Sequence, residues 1–257
     1  MKILALDSSG PVAAVALAEE TENGTPRLIG GFRLQSGFTH SQTLMPMLEH
    51  MKALARFELA DIDYIAVASG PGSFTGLRIG ASAAKGLAFA LNKPIVPVPT
   101  LSAMAYQMAG TPGLVCPMMD ARRQQVYAGV FAFARTESTG GEKPANREVG
   151  WHMETLLEAG ALPVQELIAS VNRLGGDRKE APVVCFLGDG VPVYRAEIET
   201  GLSLPYSVVP FHRDRQSAEA VCALAFEMVK EGRAVEADAF VPEYLRSGPV
   251  PAGERVF

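Results

Sequence analysis

Residues 69–80 read SGPGSFTGLRIG, four glycines and a proline between the apolar run DYIAVAS (63–69) and an alanine-rich segment. Such a stretch is either a loop that cradles a phosphate or a tight turn that lets a helix pack closely. Against the nucleoside-triphosphate pattern G-x-x-x-x-G-K-[ST], Gly70 lies six residues before Gly76, and Leu77 stands at the lysine position. No cation is therefore supplied for terminal phosphates. The dinucleotide pattern fails as well, because the spacing is G-x-G-x-x-x-G and the preceding strand is not the first of its unit. What remains is a strand, a glycine turn and a helix N-terminus, which holds an anion only weakly. Taken alone, these residues favour a structural turn.

The helix that follows carries a second signal. Gly76, Gly80, Ala84 and Ala88 fall at successive i+4 positions and form a stripe with almost no side chain. Each glycine inside a helix costs about 1 kcal/mol relative to alanine, so close packing should offset it. The partner is either the protein's own sheet or a helix of another chain, and the spacing does not choose between them.

Outward from this stretch the chain alternates strand and helix patterns. Lys2–Asp7, Val12–Ala18 and Leu28–Gln35 read as strands, the first two separated by a tight turn at Gly10-Pro11. In HSQTLMPMLEHMKALA, Leu44, Met47, Leu48, Met51, Leu54 and Ala55 recur at helical spacing, with Thr39, Ser41 and Thr43 as candidate N-caps. Pro46 fits the first turn of a helix starting near Thr43 and otherwise kinks it. After 63–69 come a helix over 77–91, a strand over 94–98 and a helix capped by Thr100. The order then repeats: LVCPMMD (114–120) ends in Asp120 as ILALD ends in Asp7, and VYAGVFAF (126–133) answers VAAVALA. A polar insertion over 137–148 is followed by a helix near 165–173 and a strand over 183–187. A GDG turn at 188–190, a short helix, a strand over 206–210 and a long helix over 217–231 complete the chain. The pattern predicts an α/β protein of two related lobes, 1–108 and 109–257, with the last helix a candidate to pack back on the first lobe.

Composition narrows the function. A chain of 257 residues with 48% hydrophobic residues, net charge −5 and no Lys/Arg cluster has ample core and no large nucleic-acid footprint of its own. Cys116, Cys185 and Cys222 are scattered singly, an odd count that suits buried thiols rather than a disulfide framework. The opening MKILALDSS lacks a signal-peptide pattern and no apolar run is long enough to span a membrane, so a cytoplasmic protein without membrane contact is expected. His40, His50, His152 and His212 lack metal-ligand spacing, and no metal site is expected. His40 with Ser41 reads as a helix start rather than a catalytic pair. Asp7 and Asp120, at strand ends, are the candidate groups for orienting a nucleotide, though isolated aspartates there are more often turn residues.

ILALDSS, HSQTLMPML, SGPGSFTGLRIG, VPVPTLSAMA, MMDARRQQVYAGVF and VPEYLRS, in this order, resemble the TsaB (YeaZ) family. The resemblance implies an actin-like, heat-shock-ATPase-like fold of the ribonuclease-H-like type. It also implies a non-catalytic accessory role in making threonylcarbamoyladenosine next to the anticodon of tRNA. The implied partners are the catalytic paralogue TsaD, the ATPase TsaE, or a second copy of the chain, with tRNA reached only through the complex. TsaD carries two metal-binding histidines one helical turn apart, and the match here places Thr100 and Met104 at those positions, neither a replacement for imidazole. No cofactor is required on this reading. Weak ATP or ADP affinity would involve Asp7, Ser8, Ser9, Gly70, Gly72 and Ser73. The family's partner contact uses helices matching 40–54 and 76–90, which selects His40, Leu44, Met47, Leu48, Met51, Gly76, Gly80, Ala84 and Ala88 as the expected interface. A small-molecule kinase of the same superfamily and a glycoprotease-like peptidase are the alternatives.

Overall fold

The computed structural model describes residues 1–137, 149–176 and 181–245. Beyond Glu137, the polar insertion expected at 137–148 lies outside them, as do the last two residues of the 241–247 segment. The chain forms two compact units, one of residues 1–100 and 216–257, the other of residues 101–215.

In the first unit, β1 (Lys2–Asp7), β2 (Ala13–Glu20) and β3 (Pro26–Leu34) form an antiparallel meander. Two parallel strands extend it, β4 (Tyr64–Gly70) and β5 (Ile95–Pro99), giving the order β3-β2-β1-β4-β5. The register aligns Leu4 with Leu17 and Ile65, and Leu6 with Val15 and Val67. That face forms one core with α1 (His40–Ala55) and α2 (Phe74–Leu91). Because side chains alternate along a strand, Ala5, Ala14, Ala16 and Ala66 fall on the opposite face. α7 (Ala218–Lys230) packs there, its Cys222 thiol against the carbonyls of Ile3 and Ala16. Alanines let the helix approach closely.

α1 begins at Thr39, whose N–H donates to Gln42 Oε1 at 3.2 Å, so Pro46 sits well inside the helix rather than in its first turn. α2 begins at Phe74, three residues earlier than the apolar pattern suggests, with the N-cap Ser73 Oγ accepting from Gly76 N.

The second unit repeats the scheme. β6 (Leu114–Asp120), β7 (Gln125–Glu137) and β8 (Val149–Pro163) are antiparallel, and β9 (Val184–Leu187) and β10 (Tyr206–Val208) run parallel to β6. From the meander edge the order is β8-β7-β6-β9-β10, the same as in the first unit. One face is covered by α4 (Val164–Gly176), α5 (Gly190–Val193) and α6 (Arg195–Gly201), and the other by α3 (Thr100–Tyr106). Three antiparallel strands followed by two parallel ones in this order are the ribonuclease-H-like arrangement, present twice. The expected actin-like, two-lobed α/β fold is the observed one.

Three expectations are corrected. Thr100 does not cap α3; it is the helix's first residue, and its buried Oγ1 has no hydrogen-bond partner. The second lobe does not run to the C-terminus. The boundary falls after Thr100, and the chain returns to the first unit at Gln216 because the apolar face of α7 buries on its sheet. Finally, β8 is a strand that the periodicity over 149–163 does not announce. Its pairing with β7 runs from Gln125↔Pro163 to Glu137↔Val149 and overrides helix formers such as Leu156, Leu157 and Glu158.

Candidate functional site

β1 ends at Asp7, and the turn after it holds most of the expected binding residues. Asp7 is almost fully buried; its Oδ1 accepts from Ser9 N at 2.8 Å and from Ser9 Oγ at 2.7 Å. Burial pushes its carboxyl up to about 6, opposed by the Ser9 hydrogen bonds and the nearby His40. His40 Nε2, at the start of α1, donates to Gly10 O at 2.8 Å. Ser9's hydroxyl proton is committed to Asp7 and His40 is committed to a carbonyl. These three residues therefore do not form a nucleophile–base pair.

The glycine turn closes on this same segment. Ser73 N donates to Ser9 O at 2.7 Å, and Ser8 Oγ donates to Gly76 O at 2.8 Å. A Cβ on Gly72 would collide with the carbonyl of Ser9, and one on Gly76 with that of Ser8. A Cβ on Gly80 would stand 2.6 Å from Ser8 Oγ. Gly70, at φ +127°, leaves no room for a side chain beside the backbone of Glu243. The peptide of Ser8 and Ser9 thus packs directly against the glycines at the start of α2. Asp7, Ser8, Ser9, Gly72 and Ser73 are brought together, while Gly70 lies against the backbone of Glu243.

The expected interface residues are corrected. Leu44, Met47, Leu48 and Met51 lie in the first unit's core with Leu4, Leu6 and Val15. Gly76 and Gly80 pack on Ser8, and Ala84 and Ala88 are buried in the same core. Burying each large apolar side chain contributes about 1.5–3 kcal/mol, so these residues hold the unit together and are not free for a partner. His40 serves the Asp7 turn. Instead, α1 and α2 expose Met45, Leu54 and Phe89, of which Leu54 is 74% and Phe89 64% accessible. Leu54 shares the apolar spacing of α1 yet falls off its buried stripe.

Sequence reasoning also missed Gln216. Its side chain is completely buried against Gly10, and neither Nε2 nor Oε1 has a hydrogen-bond partner. Nothing in the local sequence marks it, since it reaches the turn only through the return of the chain at α7.

In the second unit, Asp120 ends β6 as Asp7 ends β1. Its Oδ1 accepts from Arg122 N at 2.8 Å and from the Tyr194 hydroxyl at 3.2 Å. The GDG turn places Asp189 nearby. Burial raises its carboxyl above the usual range, the charge of Asp120 adds to this, and Arg215 opposes it. Gly188, at φ +111°, packs on Met118 O. Among the described residues, no cluster of three or more His, Cys, Asp or Glu is gathered to hold a metal ion, and no helix is long and apolar enough to cross a membrane. Thr100 and Met104 are both buried.

Residues 35–247 match the family described as TsaD, tRNA N6-adenosine threonylcarbamoyltransferase. The chain is 31% identical over 248 residues to the tRNA threonylcarbamoyladenosine biosynthesis protein TsaB of Bacillus subtilis, covering 96% of this chain and 94% of that one. The Escherichia coli TsaB is 30% identical over 251 residues, covering 96% and 95%. The crystal structure of YeaZ from Pseudomonas aeruginosa superposes with a TM-score of 0.66 at 25% identity, over 95% of this chain and 99% of that one. The likeness to these proteins runs from end to end and includes the closed glycine turn's own segment, so the chain belongs to the TsaB (YeaZ) family, within the broader TsaD-type group.

Proposed function

We propose that the chain is a non-catalytic accessory subunit in the synthesis of threonylcarbamoyladenosine in tRNA, pairing with a TsaD-type transferase and working with a TsaE-type ATPase in the cytoplasm. The observation that carries this reading is the filled glycine turn. The Ser8–Ser9 peptide packs into the turn, and Gly72 and Gly76 are the residues that admit it. Any ATP or ADP bound by Asp7, Ser8, Ser9, Gly70, Gly72 and Ser73 is held weakly, because that peptide must first give way. The pathway is the one for which the Bacillus subtilis and Escherichia coli relatives are named.

The pairing surface is the outward side of α1 and α2, where Met45, Leu54 and Phe89 leave apolar area in water. A second copy of the chain is the competing occupant of the same surface, and tRNA is reached through the assembled complex.

Leu54→Glu with Phe89→Glu tests the pairing. The double variant should melt within about 2 °C of the parent, since exposed substitutions change stability little. Its affinity for the transferase should fall at least tenfold, about 1.4 kcal/mol. Unchanged affinity would sink the surface assignment. Calorimetry with ATP and magnesium tests the non-catalytic role, and micromolar binding with turnover would favour a kinase instead.

A further inference from the structure

The β6–β7 hairpin turns through Arg122, Arg123 and Gln124 at φ of +63°, +54° and +59°, three consecutive non-glycine residues in the left-handed region. Chirality disfavours this conformation for every residue with a Cβ, and turns that need it ordinarily recruit glycine or asparagine. The hairpin is nevertheless pinned. Arg122 N donates to Asp120 Oδ1, Ala121 N to Gln125 O, Gln125 N to Arg122 O and Val164 N to Gln124 O, while Tyr194 also donates to Gln125 O.

Every one of these bonds uses main-chain atoms of the tip; none uses an arginine side chain. The Arg122 side chain is 87% exposed and pairs with Asp120 only through Nε at 3.7 Å, while Arg123 is exposed with no ion pair among the described residues. Five other arginines are held more closely: Arg27 by Glu19, Arg195 by Glu199, Arg215 by Asp214, Arg233 by Glu231, and Arg78 on the Phe74 ring. In a chain of net charge −5, two adjacent exposed guanidinium groups, one of them only loosely paired with Asp120, stand on a strained tip held by main-chain hydrogen bonds. Strain kept where no fold contact requires the side chain points to a binding role.

We propose that Arg122, Arg123 and Gln124 form a contact for RNA backbone, the two guanidinium groups taking phosphate oxygens and the Gln124 amide a ribose hydroxyl. Guanidinium forks match phosphate oxygens, and such contacts position a protein on nucleic acid without reading sequence. An acidic protein partner fits less well. Ala121 is buried, and the exposed residues of the tip are all polar, so the apolar anchor on which protein interfaces centre is missing. That the RNA is a tRNA rests on the functional reading above.

The test uses the full chain, alone and assembled with its transferase, titrated into a fluorescein-labelled unmodified tRNA transcript at 50–200 mM KCl. Arg122→Gly with Arg123→Gly removes the charges while suiting the left-handed backbone, so its melting temperature should be unchanged or higher. Its tRNA affinity should fall roughly tenfold at 100 mM, with a slope of log affinity against log salt shallower by about 1.5–2, as for two lost phosphate contacts. Arg122→Lys with Arg123→Lys should keep most of the slope. Equal affinity and equal slope for the glycine variant overturn the proposal. So does a variant that loses transferase pairing or polyglutamate binding while holding tRNA normally. Arginine-dependent tRNA binding by a chain that fails to pair with the transferase upholds this contact and refutes the functional reading. Normal pairing with arginine-independent tRNA binding refutes the contact alone.

Discussion

The two sheets share one strand order but treat the aspartate at the end of their first strand in opposite ways. Asp7 is 1% exposed, satisfied by the residue two positions on, and covered by a turn that packs into the glycines of α2. Asp120 keeps 16% of its side chain exposed and takes its hydroxyl donor from Tyr194, 74 residues away. Behind it a second carboxylate, Asp189, has a buried Oδ1 with no hydrogen-bond partner. The glycine turns differ to match. In the first unit Gly72 and Gly76 admit a neighbouring turn, whereas in the second Gly188 and Gly190 lie on the adjacent strand's Met118. A repeated fold has kept its architecture twice and its strand-end chemistry in neither unit alike: sealed in one, half-open in the other.

The largest effect expected from this contrast is at the helix glycines. Helix propensity alone says that replacing Gly80 should stabilise α2 by about 1 kcal/mol. Ser8 Oγ, 2.6 Å from where a Cβ would go, says the reverse. Gly80→Leu should cost about 3 kcal/mol or more in urea unfolding of the isolated chain, whereas Gly190→Ala, whose Cβ would meet Met118 O at 3.0 Å, should cost about 1 kcal/mol. Equal, small losses at both sites would erase the distinction between a sealed turn and an open one.

Next comes the pH dependence of stability. The carboxyl of Asp7 lies at about 6 in the folded chain against 3.8 ordinarily, so the folded state holds the proton more tightly than the unfolded state. The stability from this group is fully present below pH 3.8 and is lost as pH rises to about 6. The total is about 3 kcal/mol. Asp7→Asn should flatten that part of the pH profile and leave the protein more stable than the parent at pH 7.5. A profile unchanged by the substitution would mean that Asp7 is better solvated than its burial implies.

The smallest effects separate the donors of the two aspartates. Ser9→Ala removes a 2.7 Å bond to a buried carboxyl group and should cost about 2 kcal/mol. Tyr194→Phe removes a 3.2 Å bond to a partly solvated carboxyl group and should cost about 1 kcal/mol. Thermal melts at pH 7.5 that reverse this order would show Asp120 to be the more structurally committed of the two.

Much of this was legible from the chain. The alternation of apolar runs and glycine turns located nine of the ten strands among the described residues, and the pairing of ILALD with LVCPMMD revealed the repeat. That SGPGSFTGLRIG is no triphosphate loop followed from the missing lysine at Leu77. That the stripe is buried was not legible, because small residues at helical spacing report only that something approaches α2 closely, and the closest thing is the chain's own Ser8. β8 was hidden for a different reason. A segment containing METLLEAGAL is locally helix-compatible, and only twelve residue pairs formed with β7 hold it extended.

By itself, then, the sequence determined what short-range chemistry determines: which runs are apolar enough to be strands, where glycine and proline break them, and that no phosphate-gripping lysine follows the glycine turn. Tertiary structure alone decided which faces are buried, because burial depends on what arrives from elsewhere in the chain. The return of α7 puts Gln216 on Gly10, the turn after Asp7 packs into the glycines of α2, and the core that takes Met47 and Met51 leaves Leu54 in water. Each of these outcomes joins residues tens to hundreds of positions apart, and no local pattern carries the free energy of contacts at that range.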